Sequence, residues 1–458
     1  MNDTIAAIST PFGEGALAVI RLTGPRAVAV ADAIFLSKKK AAELPARVQQ
    51  FGKITDGAHT IDDVLLSVHR APASYTGEDV VEIHCHGGIL VTRRVLDAVL
   101  AHGARGAEPG EFTQRAFLNG KMDLTQAEAV MDLIRAQTDL ALRAATEQLE
   151  GRLGEKIRGI REMLLDLLAH TEAFIDFPDE DIDPATGAAL LQKLDLAREQ
   201  IAALLRTADQ GKILREGVRT VICGEPNVGK SSLLNVLLGY ERAIVSEIPG
   251  TTRDTIEEVI NLRGIPLRLV DTAGLRESDD AVEREGMART LKNIERADLV
   301  LRVFDASTSE FGIRKAGKQE TESEDFLLSC FPHSKILLVL NKADLGEHAS
   351  WRGVDAVRVS CKTNAGFDAL ADTIFSRAMR GDVQFADHAI AINARHQACL
   401  KSAALFADAA RAAIGKKLSA EFIAVELRAA LDAVGEVVGK ADTEELLGRI
   451  FSTFCIGK

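Results

Sequence analysis

The sequence predicts a multidomain chain of α/β plus α class. An α+β N-terminal domain (1–118) precedes a domain of long helices in two parts (119–216 and 381–458), and an α/β domain (217–380) is inserted between those parts. Three observations predict this. Short β-type runs alternate with helical stretches up to about residue 118. A proline-free segment then repeats apolar residues at helical spacing. After Gly217 strands alternate with helices, and after about Gly381 alanine-rich helix returns.

In the first segment Gly15-Ala-Leu-Ala-Val-Ile-Arg21 and Val80-Val-Glu-Ile-His84 read as strands, set off by glycine and proline turns. From Asp123 to about His170, Val130, Leu133, Ile134, Leu140, Leu164, Leu165 and Leu168 recur at helical intervals, which predicts long packed helices. The acidic turn Phe177-Pro-Asp-Glu-Asp-Ile-Asp-Pro184 interrupts them before Leu190 to Leu205 resumes the period. Gly312 to Asp325 is charged and aperiodic, and reads as a surface loop.

At 458 residues the chain exceeds one ordinary core, and 47% hydrophobic with 27% charged residues is a globular composition. No run approaches the eighteen or so uncharged apolar residues of a membrane span, and Met1-Asn-Asp-Thr-Ile5 has no signal-type pattern. A cytoplasmic protein without a membrane partner is expected. The six cysteines stand singly, without zinc or disulfide spacing, and read as reduced thiols. In His84-Cys-His86, strand alternation sends Cys85 to the face opposite both histidines, which disfavours a shared metal. A formal charge of −12 argues against a broad basic surface coating nucleic acid, though not against a local basic groove.

The inserted domain carries the chemistry. The apolar run Val221-Ile-Cys223 leads into Gly224-Glu-Pro-Asn227-Val228-Gly229-Lys230-Ser231 and then the helical Ser232-Leu-Leu-Asn-Val-Leu-Leu. That is a strand, a phosphate loop and a helix in order. The loop amides and helix N-terminus face phosphates, Lys230 brings a point charge, and Ser231 suits a magnesium ion. Asp271-Thr272-Ala273-Gly274 follows the strand Pro266 to Val270, which puts Asp271 in the second magnesium shell and the Gly274 amide near the terminal phosphate. Asn341-Lys342-Ala-Asp344 follows Ile336 to Leu340 and selects guanine, whose edge offers a carboxylate two donors where adenine offers no such pair. Ser360-Cys361-Lys362 completes the set as the loop packing on the base, with cysteine where alanine is more usual. Four signals in this order identify a Ras-like P-loop GTPase domain that binds GTP with Mg2+.

Hydrolysis needs a group that positions water and a charge that stabilises the transition state. Leu275 follows Gly274, so the glutamine many GTPases use is missing. Candidates lie in Pro249-Gly250-Thr251-Thr252-Arg-Asp254, where Thr252 can close over magnesium, and in the carboxylate-rich segment from Leu275 to Glu283. Glu283 also reads as a solvated carboxylate at a helix start.

With these motifs, Thr76-Gly-Glu-Asp-Val-Val-Glu82, His86-Gly-Gly88, Pro109-Gly-Glu-Phe-Thr113, Arg115-Ala-Phe-Leu-Asn-Gly-Lys121, Ile175-Asp-Phe-Pro178 and the terminal Phe454-Cys-Ile-Gly-Lys458, the chain resembles the MnmE (TrmE) family of bacterial tRNA-modifying GTPases over essentially its whole length. The resemblance implies a homodimer formed through N-terminal domains that bind a one-carbon folate, 5,10-methylene- or 5-formyl-tetrahydrofolate. By motif position its contacts fall on Arg21, Glu82, Lys121 and Lys458. An anionic glutamate tail suits Arg21 or Lys121, and Glu82 can accept from a pterin ring.

The resemblance further implies tRNA as substrate and an FAD-containing partner, MnmG, in a heterotetramer-type complex. Together they add a carboxymethylaminomethyl-type group at the 5-position of the wobble uridine. Cys455 matches the family's near-terminal cysteine, with a catalytic role or an inert one. For hydrolysis the family's potassium ligands fall on Asn227, Ser246, Ile248 through its carbonyl, and Thr251, within a nucleotide-contacting run that includes Glu247. Glu283 matches the carboxylate that positions water. Read without the family, Asn227 only shapes the loop and Arg253 or Arg276 carries the charge.

A ribosome-assembly GTPase is the alternative class, although neither flank has the basic RNA-binding module expected of one. A membrane-remodelling GTPase would need a lipid-binding tip that the sequence does not display. Arg302, inside the apolar strand Leu299 to Phe304, has no account at this level.

Overall fold

The computed structural model describes residues 3–176, 188–240, 258–270, 293–309, 335–379, 390–439 and 444–458. The chain divides into two compact units. One comprises Met1–Met131, Leu149–Leu190 and Ala409–Lys458, and the other Asp132–Gln148 and Leu191–Asp408.

The first unit is built on a sheet of seven strands: β1 (Ile5–Ile8), β2 (Gly15–Thr23), β3 (Phe35–Leu36), β4 (Gln49–Thr55), β5 (Thr60–His69), β6 (Val80–Gly87) and β7 (Arg105–Gly106). Their order is β3-β4-β5-β6-β2-β1-β7, antiparallel except where β7 joins β1. Alternation decides which side chains are buried. Ile20 and Leu22 of β2 and Val81, Ile83 and Cys85 of β6 point into a core with Ile34, Val95 and Val99 of the helices Ala27–Ile34 and Ile89–Ala101. Arg21, Glu82 and His84 therefore share the opposite face.

The helices Arg152–Asp176 and Ala420–Val437 pack along each other through Ile157, Ile160, Leu164 and Leu168 on one and Ile423, Leu427, Leu431 and Val434 on the other. An Arg428–Glu172 ion pair lies at their surface. Near the C-terminus, Leu447, Phe451 and Phe454 close over Leu124, Ala127 and Met131.

The proline-free segment from Asp123 to His170 is broken into Leu124–Arg135, Asp139–Leu149 and the start of Arg152–Asp176. Thr138 accepts from the Ala141 amide at the first break, and Gly151 at φ 91° turns the chain at the second. Ile134 lies in the last turn before the first break and is 43% exposed.

The second unit holds a six-stranded sheet: β8 (Val218–Cys223), β9 (Glu258–Leu262), β10 (Ile265–Val270), β11 (Leu299–Asp305), β12 (Ile336–Asn341) and β13 (Val357–Arg358). The order is β13-β12-β11-β8-β10-β9, with all pairs parallel except the β9–β10 hairpin. The hairpin turns on Arg263 and Gly264 at φ 52° and 90°, the two left-handed residues that a tight turn of this kind requires. The parallel strands read as nearly continuous apolar runs because both faces are covered. Leu233 and Leu237 of helix Lys230–Tyr240 and Leu370 and Ile374 of helix Phe367–Ala378 pack with Leu267, Leu301 and Val339 of the sheet.

Arg302 has its explanation in β11. It is one strand period from Phe304, and its guanidinium stands 5.0 Å from the Phe304 ring centroid. That ring is tilted against Trp351 at 5.1 Å. The apolar strand carries a cation because an aromatic face receives it.

Candidate functional site

β8 is central, and the chain proceeds from it first to β9 and β10 on one side and then to β11 on the other. A crevice opens at the carboxyl end of such a switch point. The loop 224–229 leaves β8 there, joined by the ends of β12 and β13.

The loop is held from three sides. Gly224 adopts φ 143°, and a Cβ there would lie 2.3 Å from the Val303 carbonyl. Gly229 adopts φ 97°, and a Cβ there would lie 2.2 Å from Asn341 Nδ2. Only glycine fits either place. Lys230 Nζ donates to the carbonyls of Gly224 and Glu225, both at 2.8 Å, so the ammonium sits inside the curl of the loop. Asn227 is exposed at φ 65°, Val228 is buried, and Ser231 and Ser232 are exposed in the first turn of helix Lys230–Tyr240. The positive end of that helix dipole faces the same crevice.

Asn341 connects the loops. Only 2% exposed, it donates from Nδ2 to the Val228 carbonyl at 2.9 Å and accepts at Oδ1 from the Cys361 amide at 3.2 Å. Lys342 adopts φ 61° and donates to Asp305 at 2.7 Å. Asp344 accepts at Oδ1 from the Ser360 hydroxyl at 2.6 Å, and the Thr363 amide donates to that same hydroxyl at 3.2 Å. Asp344 is otherwise exposed, as is Lys362. Burial pushes the Cys361 thiol up, with the Asn341 side chain opposing it.

Asn227, Val228, Gly229, Lys230, Ser231, Ser232, Asn341, Lys342, Asp344, Ser360, Cys361 and Lys362 thus lie at one end of one sheet, on its loops, the end of β12 and the start of helix Lys230–Tyr240. Ser246, Glu247, Ile248, Pro249, Gly250, Thr251, Thr252, Asp271, Thr272, Ala273, Gly274 and Glu283 lie outside the described residues, as do Arg253 and Arg276.

A second cluster lies on the open face of the first unit's sheet. Arg21 pairs with Glu82 across β2 and β6, Nε to Oε1 at 2.9 Å, at 17% and 20% exposure. Its guanidinium is 5.7 Å from the Tyr75 ring centroid and 5.9 Å from that of Phe112. His69 and His84 each approach the second oxygen of Glu82 to 3.8 Å. The terminal residues are laid into this unit: Ile456 bridges Pro109, the Gly457 carbonyl accepts from Ser9, and the Lys458 carbonyl accepts from the Phe112 amide. Burial, then the nearby Arg21 charge, lowers the pKa of the Lys458 ammonium, while Glu82 opposes the shift. Arg21, Glu82 and Lys458 therefore come together. Lys121 instead donates to the Pro72 carbonyl at 3.0 Å, and Cys455 is exposed.

A buried charge network had no sequence signal beyond the Glu111–Arg115 spacing. Arg115, 1% exposed, binds the Glu111, Glu78 and Asp3 carboxylates, and Arg105 holds Glu111 with two hydrogen bonds. It braces the turn on which the terminal residues rest.

Comparison with known proteins returns two family models that together span nearly the chain: the GTP-binding protein TrmE N-terminus over residues 4–121 and the MnmE helical domain over residues 124–455. The chain is similar to proteins named tRNA modification GTPase MnmE. That of Akkermansia muciniphila is 49% identical over 99% of each chain. That of Geobacter metallireducens is 46% identical over the full length of both, and that of Geobacillus kaustophilus is 45% identical over 100% of this chain and 99% of its own. Among solved structures, the G domain of the T. maritima FeoB iron transporter matches 35% of this chain and 97% of its own at 24% identity, with a TM-score of 0.24.

Proposed function

The chain belongs to the MnmE (TrmE) family of tRNA modification GTPases, and from that premise we propose that it hydrolyses GTP in a potassium-dependent manner and modifies the 5-position of the wobble uridine of tRNA. In this reading it acts as a homodimer with the FAD-containing MnmG, takes a one-carbon unit from a tetrahydrofolate, and yields a carboxymethylaminomethyl-type product. The observation that carries the guanine-nucleotide part is the buried Asn341 carboxamide, which ties the phosphate loop to the loop after β13 and leaves Asp344 at the crevice mouth.

Each residue then has a role. The loop amides and Lys230 bind the phosphates, and Asp344, held by Ser360, accepts from the guanine edge. Ser231 and Thr252 would hold Mg2+, and the exposed Ser231 at the helix start fits that position. Asn227, Ser246, the Ile248 carbonyl and Thr251 would hold K+, which supplies the positive charge that other GTPases take from an arginine. Asn227 fits, since it is an exposed residue of the phosphate loop. Glu283 positions the attacking water in place of the missing glutamine. The Arg21–Glu82 pair, the Tyr75 and Phe112 rings and the half-buried Lys458 fit a group that is aromatic at one end and anionic at the other.

The experiment compares steady-state GTP hydrolysis in potassium and in sodium. Hydrolysis should be at least about tenfold faster in potassium, since the arginine whose charge the ion would replace is worth roughly 10³ to 10⁵ in rate. Asn227→Ala should remove most of the difference. Equal rates in both salts would overturn the potassium reading.

A further inference from the structure

Asp305, the last residue of β11, belongs to none of the nucleotide motifs, yet its carboxylate is fully committed at their edge. Oδ1 accepts from the Ser307 amide at 3.0 Å and the Ser307 hydroxyl at 2.6 Å, while Oδ2 accepts from Lys342 Nζ at 2.7 Å. Its side chain is 14% exposed against 35% for Lys342, so the ion pair is sheltered on the aspartate side. The backbone fixes the pair as well. Asp305 stands opposite Asn341 in the β11–β12 register, and the Ala306 amide donates to the Asn341 carbonyl at 2.8 Å.

Burial alone would raise the Asp305 pKa. The Lys342 and Ser307 hydrogen bonds outweigh it and hold the carboxyl below its usual value, so it is ionised at neutral pH. Lys342 needs such an anchor. It sits at φ 61° between the residue that ties the phosphate loop and the residue that reads the base, and a four-carbon stem at a left-handed backbone position has many directions open to it.

We infer that Asp305 is a positioning residue for guanine-nucleotide binding: by fixing the Lys342 ammonium it lays the lysine stem across the place where the base rests. This deepens the guanine-nucleotide reading and rests on it. The stem then offers its methylenes to the base plane while its charge stays on the carboxylate. Asp344 is oriented separately by Ser360, so Asp305 contributes to affinity and not to the choice of base.

Asp305→Asn separates the two halves of the carboxylate's work. The amide oxygen can keep both Ser307 bonds, whereas the amide nitrogen meets the lysine ammonium donor to donor. The test is calorimetric titration of the full chain with GDP, and with IDP as the probe lacking the 2-amino group, for the wild type, Asp305→Asn, Lys342→Met and the double variant. Asp305→Asn should weaken GDP about tenfold, the scale of one charge-assisted hydrogen bond. The GDP to IDP ratio should stay at the wild-type value. On the Lys342→Met background the same substitution should cost nothing more, because the group through which it acts is gone.

Wild-type affinity in Asp305→Asn, an equal loss on the Lys342→Met background, or a collapsed GDP to IDP ratio would each overturn the inference. Were the wild-type chain to bind no GDP at all, the guanine-nucleotide reading itself would fail. Thermal midpoints measured alongside distinguish a folding defect, which would lower the midpoint on both backgrounds and count against a positioning role.

Discussion

Replacing Gly229 by alanine adds one methyl group where the structure has room for none. The new Cβ would stand 2.2 Å from Asn341 Nδ2, inside any real contact distance, and the backbone at φ 97° is one that side-chain-bearing residues rarely adopt. The backbone term is about 1–2 kcal/mol. The side-chain term depends on whether Asn341 can move. Its carboxamide is 2% exposed and bonded at both ends, to the Val228 carbonyl and the Cys361 amide, so displacement leaves at least one buried group unpaired, at about 1–3 kcal/mol. Together these give about 2–5 kcal/mol against this loop conformation. If the nucleotide requires that conformation, GDP affinity falls at least about thirtyfold. Calorimetric titration of Gly229→Ala with GDP measures this, with a thermal melt to show that the sheet beneath is intact. Binding within threefold of the wild type would refute the argument that the Gly229–Asn341 contact holds the loop in its binding form.

Two further outcomes follow from other contacts. Asp344→Asn replaces an acceptor by a donor while an amide oxygen remains for Ser360, so GTP affinity should fall at least about a hundredfold and xanthosine triphosphate binding should appear. Competition binding checks this, and unchanged GTP affinity would remove Asp344 from the base. In the first unit, burial alone would raise the Glu111 pKa, but Arg105, the Glu108 amide and Arg115 hold it below the ordinary 4.5. A depressed carboxyl contributes stability that is fully present above that ordinary value and is lost as pH falls through the lower folded value. Glu111→Gln should therefore cost about 3 kcal/mol at neutral pH, the low end for a broken buried pair because Asp3 and Glu78 still hold Arg115. Its stability should also change less than the wild type's below pH 4.5, as urea melts would reveal. Equal slopes in that window would exclude Glu111.

What the sequence disclosed follows from what its patterns encode. Alternation in β2 and β6 and the apolar runs of β8, β10, β11 and β12 were legible because burial imposes a period on each. The order of the phosphate loop, Asn341 to Asp344 and Ser360 to Lys362 along the chain was legible too, since each follows a recognisable strand or turn. The bond between Gly229 and Asn341 loops was not, because residues 113 apart in Asn341 and Val228 meet only through the sheet's order. For the same reason Arg302 looked misplaced until Phe304 and Trp351 stood beside it. The Arg115 network also stayed hidden: Asp3, Glu78 and Glu111 come from three distant segments, and charged residues read singly belong to the surface. The breaks at Thr138 and Gly151 were missed because helical periodicity continues across a short turn.

The central claim joins the guanine site to a modified base, and one measurement addresses both. Nucleosides from the tRNA of a strain lacking this chain are separated and weighed, with the strain restored by the wild type or by Asp344→Asn. The account predicts that the carboxymethylaminomethyl-type wobble uridine disappears, returns with the wild type and fails to return with Asp344→Asn. An unchanged wobble uridine in the deletion strain would contradict it.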